Sequence, residues 1–113
     1  MSENLNLNRR RMHVVLTDQN GEVYIDTIFE FEQNGNIVSA RYAGGKIRIG
    51  YLVGKINENN LEFRYAQANI HDHLDGGQSN CEIKMADNGK LQLIEHFQWS
   101  SREGSGTNVY EEL

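Results

Sequence analysis

Glu95 is the residue whose position most needs a chemical explanation. In the run 91–99, Leu91, Leu93, Glu95, Phe97 and Trp99 share one face, while Gln92, Ile94, His96 and Gln98 share the other. A carboxylate in a dry row either takes up a proton or requires a partner. Tyr42, Tyr65 and Gln67 fall on rows able to face it. Two readings of this cluster stand side by side. In one it is a structural hydrogen-bond network that fixes a single core arrangement. In the other, Tyr42, Arg64, Tyr65, Gln67, Glu95 and Trp99 line a pocket where Glu95 accepts from the amine or hydroxyl groups of a small, partly polar ligand. Arg64 is the discordant member, because alternation turns it away from the face of Phe63 and Tyr65. Either a bulge flips the local register, or Arg64 lies outside with its aliphatic stem along the wall.

The remaining reactive side chains carry less. His71 and His73 flank Asp72 with Asp75 close by, a spacing that in an extended segment sets both imidazoles on one side, suited to Zn²⁺. A third ligand would have to arrive as His13 or His96, so the cluster reads as a solvated loop and no metal is assigned. Cys81 becomes a nucleophile only if a base or a positive neighbour lowers its pKa, and its apolar-side position reads as inert packing. No Gly-x-Ser-x-Gly turn, phosphate loop or dinucleotide-binding glycine pattern occurs, so no catalytic residue and no cofactor are assigned. Arg41, Lys46 and Arg48 around Gly44-Gly45 read as a solvated basic hairpin, and Phe63, Phe97 and Trp99 as core. Glu111-Glu112 is placed beside a basic strand and given no chemistry.

These side chains must be held by a small scaffold. The chain has 113 residues, 11 Lys plus Arg and 16 Asp plus Glu, for a formal charge of -5. That is one acidic domain, which argues against a nucleic-acid or anionic-membrane surface, since both rest on a basic field. Arg9, Arg10 and Arg11 form a basic run, but the apolar stretch after it, Met12 to Leu16 broken by His13, falls short of the ~7–15 residues of an export signal. No stretch approaches the ~20 apolar residues of a spanning helix. A single cysteine makes no internal disulfide, so a reducing cytoplasm is the expected compartment. A monomer or a homodimer fits equally.

Turn signals recur at Asn20-Gly21, Asn34-Gly35, Gly44-Gly45, Asn57-Glu58-Asn59-Asn60, Gly76-Gly77, Asn88-Gly89 and Gly104-Ser105-Gly106. Between them the side chains alternate with period two. Val23, Ile25, Thr27, Phe29 and Phe31 share a face, as do Leu61, Phe63 and Tyr65, and Ser79, Cys81, Ile83 and Met85. The run 46–54 is ambiguous, with Ile47, Ile49, Tyr51 and Val53 on one parity and Gly50, Leu52 and Gly54 on the other. Alternate glycines there predict a close approach by a Tyr or Trp of a neighbouring strand. The expected strands are 9–17, 22–33, 36–43, 46–55, 60–69, 77–86, 90–100 and 107–112, after a disordered polar tail over residues 1–8. An all-β antiparallel meander of about eight strands over 9–113, closed or nearly closed into a barrel, removes both edge strands.

The pattern Thr27-x-Phe29-x-Phe31-x-Gln33-x-Gly35-Asn36, then Ala40-x-Tyr42-x-Gly44-Gly45-x-Ile47-x-x-Gly50-x-Leu52-x-Gly54, continues through Arg64-Tyr65-x-Gln67-x-Asn69. It ends with Asn88-Gly89-Lys90-x-x-Leu93-x-Glu95-x-x-x-Trp99 and Glu111-Glu112. This resembles a family of small bacterial proteins that often carry the label N-acetylglutamate synthase by automatic transfer. The resemblance implies a small closed β-barrel, reminiscent of the lipocalin and fatty-acid-binding group, and no established activity. Acetyl-CoA-dependent transferases cradle a pyrophosphate at a helix N-terminus after a glycine-containing loop, and no such helix is readable here. The expectation is a non-catalytic barrel holding a small organic ligand in its interior. The alternative is a structural or protein-interaction module whose core fills itself.

Overall fold

The structure, a computed structural model, describes residues 6–113. Eight strands follow in chain order: β1 (Arg11–Leu16), β2 (Ile28–Asn34), β3 (Ile37–Gly44), β4 (Ile47–Asn57), β5 (Asn60–Asn69), β6 (Leu74–Met85), β7 (Leu91–Trp99) and β8 (Ser105–Glu112). Each pairs antiparallel with the next and β8 pairs with β1, so the meander closes into a barrel. Among the described residues no helix is long and apolar enough to cross a membrane.

The tight hairpin turns at 35–36, 58–59 and 86–90 gather at one end, where Gly35 and Gly89 supply the positive φ such turns demand. Connections 17–27, 45–46, 70–73 and 100–104 gather at the other. The hairpin end is aliphatic, with Leu7, Met12, Val38, Leu61, Ile83 and Leu91 buried. Most of the tail expected over residues 1–8 lies outside the described residues. Leu7 is fully buried and its N–H donates to Gln33 Oε1 at 2.9 Å, so it belongs to the core.

Alternation places the faces as expected in β5 and β7 and misleads over 22–27, a turn signal misleads at Gly76-Gly77, and the ambiguity over 46–54 is resolved by a bulge. The strand expected over 22–33 begins only at Ile28. Residues 21–27 turn across the barrel end, held by Thr27 N–H to Tyr24 O at 2.9 Å, and Ile25 is 68% exposed although it shares parity with Phe29. Gly76-Gly77 is no turn but lies inside β6; the turn falls at 70–73, where Asn69 Oδ1 accepts the N–H groups of His71 and His73 and replaces glycine chemistry. In β4 a register shift between Ile47 and Ile49 flips the parity, so Ile47, Gly50 and Leu52 point inward while Tyr51 and Val53 stand in solvent.

The inward glycines face aromatic rings directly across the ladder. Gly50 pairs with Tyr42, Gly54 with Phe63 and Gly77 with Tyr65. A Cβ on Gly50 would lie 2.3 Å from the Tyr42 ring, so the glycine is what lets that ring lie flat against the wall. The close approach predicted for this strand is met by Tyr42.

Candidate functional site

β7 aims Glu95 into the barrel, opposite Cys81 of β6 and Asn108 of β8. The residue is 3% exposed. Its carboxylate accepts from Ser79 Oγ at 2.6 Å, Asn108 Nδ2 at 3.0 Å and Tyr110 OH at 2.5 Å. Asn108 cannot turn its amide round, because its Oδ1 accepts the Asp18 N–H at 3.0 Å. A buried carboxylate is tolerated here because three donors, on the strands either side of it, replace its water. The partners expected from the sequence, Tyr42, Tyr65 and Gln67, do not bond to it.

Tyr42 and Gln67 form a second chain that leads to the mouth. Tyr42 OH donates to Gln67 Oε1 at 2.7 Å, which turns Gln67 Nε2 toward Glu22 Oε1 at 3.2 Å. Asn69, its Oδ1 engaged by the turn above, donates through Nδ2 to Glu22 Oε2 at 3.0 Å. Arg102 Nη2 lies 3.9 Å from the same carboxylate, and its guanidinium stacks 4.1 Å from the Trp99 ring centroid. Trp99 packs edge-on to Tyr65 and Phe97, each at 5.8 Å, and its Nε1 donates to Asn20 O at 3.0 Å.

Both chains border one pocket at the connection end, lined by Tyr42, Tyr65, Gln67, Glu95, Trp99 and Tyr110, with Glu22 and Val23 across its mouth. Space for the centre of a water molecule amounts to ≈ 20 Å³, room for about one water. Phe29 stacks on Tyr42 at 4.4 Å and fills the depth. Among the described residues no buried side-chain polar atom lacks a partner.

The family model described as Avidin-like protein matches residues 5–113. The chain belongs to the avidin-like family. Comparison with curated proteins and with solved structures returned no match. The avidin-like assignment and the resemblance read from the motifs agree on a small barrel.

Of the six candidates drawn from the sequence, the avidin-like barrel brings five to this pocket. Arg64 is the exception: it is exposed on the outer wall, opposite Val53 and Gln78, because β5 has no bulge to invert it. Ser79, Asn108, Tyr110 and Glu22 were missed as functional partners. Ser79 already stood on the inward parity of Cys81 and Ile83, but Glu22 lay in a segment misread as strand.

Elsewhere the avidin-like chain is as expected or simpler. Burial and then the Glu95 charge push the Cys81 thiol well up, as for inert packing. His71 and His73 are exposed, and Asp72 pairs with Arg48 at 3.2 Å. Arg41 lies 3.9 Å from Glu30, and Lys46 sits 5.3 Å from the Tyr24 ring centroid. Glu112 meets Arg10 at 2.5 Å.

Burial, followed by the charge of Glu95, raises the phenols of Tyr42, Tyr65 and Tyr110 well above the usual value near 10. The unfolded chain therefore releases these protons first as pH rises. Their stabilisation is whole below pH ~10 and is lost above it. The urea midpoint is expected to fall between pH 9 and pH 11, with a smaller fall in Tyr110→Phe. Identical slopes for the two proteins would show the Tyr110 phenol to be hydrated.

Proposed function

We propose that this avidin-like barrel binds one small, partly polar organic molecule at its connection end, without catalysis. The observation that carries the reading is the segregation of polar groups. Gln67, Asn69, Ser79, Glu95 and Asn108 are buried together with the hydroxyls of Tyr42 and Tyr110, and all but Ser79 and Asn69 line the pocket itself. That end is closed by connections rather than by ladder, whereas the opposite end is aliphatic. The interior of an eight-stranded barrel is either filled by its own side chains or holds one small ligand, as in streptavidin. Convergent polar groups among aromatic walls are what such sites use to orient their contents.

One observation favours the second reading, a self-filled core: the free space holds about one water, and Glu95 already has three donors. A ligand therefore enters by displacing side chains at the mouth. The test is a thermal-shift screen with metabolites, biotin included as the streptavidin ligand, with Trp99 emission recorded in parallel. Trp99 is the single tryptophan of the chain. A ligand at 100 times its Kd adds ~2.7 kcal/mol, which is expected to raise the melting temperature by roughly 10 °C and to alter the Trp99 signal. A flat response in both across the panel sinks the ligand reading and leaves the filled core.

A further inference from the structure

We propose that Glu22 and Val23 form an internal pseudo-ligand, and that the site beneath them takes an organic monocarboxylate: an acid group on a compact apolar body. The inference rests on the ligand-binding reading above and names its ligand class. The two side chains occupy the mouth in a divided way. Val23 is 6% exposed and belongs to the core, while the Glu22 carboxylate sits on a pair of amide donors, one to each oxygen. An apolar group inward and a carboxylate outward is the outline of a small organic acid.

The receptor for that carboxylate is built independently of Glu22. Gln67 and Asn69 are both buried, and each has its amide orientation fixed by its other end, Gln67 by Tyr42 OH and Asn69 by the N–H groups of His71 and His73. Their amide N–H groups are thereby aimed at one place, where the Glu22 carboxylate now sits. Arg102 adds positive charge at 3.9 Å. Pre-oriented donors of this kind keep most of their strength because little ordering remains to be done on binding.

The pseudo-ligand is held by side-chain contacts and isolated hydrogen bonds, outside the sheet. Residues 21–24 belong to no strand, so their removal breaks no ladder. The segment is held by isolated bonds, among them Thr17 Oγ1 to Val23 O at 2.7 Å in its middle, and by fastenings to the barrel on both sides. Asp18 N–H is bound by Asn108 Oδ1 and Asn20 O by Trp99 Nε1 before it, and Thr27 Oγ1 donates to Gly44 O after it. A carboxylate tethered in this way acts at an effective concentration of ~mM or above. It lowers the apparent affinity for a free acid by the fraction of time the mouth stands open.

The experiment titrates phenylacetate and, separately, methyl phenylacetate into the wild-type protein, Glu22→Ala and Glu22→Gln, following Trp99 emission and calorimetric heat. Phenylacetate is expected to bind Glu22→Ala at least ten-fold more tightly than wild type. The methyl ester, which lacks the charge, is expected to show no such gain, and Gln67→Leu added to Glu22→Ala should abolish it. Glu22→Gln keeps the side-chain volume and covers the case in which the Ala variant does not fold. Its amide sets an N–H against one donor, so it is expected to loosen the mouth and fall between the other two proteins. Equal gains for acid and ester, or no gain for either in a folded variant, overturn the proposal. If acid and ester bind wild type and variants alike, the barrel still binds small molecules and only the pseudo-ligand fails. If no protein binds either probe and the metabolite screen is also silent, the ligand reading falls and the pseudo-ligand with it.

Discussion

Replacing Glu95 with Ala is expected to remove about 3–5 kcal/mol of stability, read as a lower urea midpoint with an unchanged slope. The carboxylate is the shared acceptor for Ser79, Asn108 and Tyr110, donors from β6 and β8 on either side of it. A buried donor left without an acceptor costs about 1–3 kcal/mol, and the vacated volume adds a cavity in a closed interior. For a domain whose total stability is of order 5–15 kcal/mol this is a large fraction. Glu95→Gln keeps an acceptor oxygen and the volume and is expected to lose only about 1–2 kcal/mol. Equal midpoints for the Ala variant and wild type would mean that water already satisfies these donors, and that the network does not hold β6, β7 and β8 in register.

Gly54→Ala is the second large effect, expected to cost about 3 kcal/mol or to prevent folding, as overpacking in a closed core does. A Cβ there would lie 2.3 Å from Glu62 O and 2.5 Å from Phe63 Cβ, and the first of these is backbone in the paired strand. Relief requires β4 and β5 to separate. Gly50→Ala, whose clash is with the Tyr42 ring, is expected to be milder at about 1–2 kcal/mol, because a ring can tilt where a carbonyl in a ladder cannot. The check is chemical denaturation of both variants. A Gly54→Ala protein as stable as Gly50→Ala would show that the ladder yields as easily as a side chain.

The sequence carried the closed meander and the inward row of β7 because both follow from local facts: Asn-Gly turns and strict alternation around Leu93, Glu95 and Phe97. It also carried the meeting of Gly50 with an aromatic ring, since an inward glycine needs something to fill its space. It did not carry the partners of Glu95. Asn108 and Tyr110 reach it only once β8 is in register against β7, a property of the sheet rather than of any window. Gly76-Gly77 looked like a turn because glycine serves both bends and crowded walls; Tyr65 opposite Gly77 decides which. Glu22 left no pattern at all, since residues 21–27 alternate like a strand while running across the barrel end.

The ladder between β1 and β2 stops at His13↔Ile28, and from Val14 onward β1 has β8 alone beside it. The wall is therefore unladdered along that margin, and residues 17–27 cross the barrel end beside it, pinned to Asn108, Trp99 and Gly44. The hoop of hydrogen bonds is closed around the barrel's waist yet cut at its rim, so a molecule passing there need not unbutton a single rung.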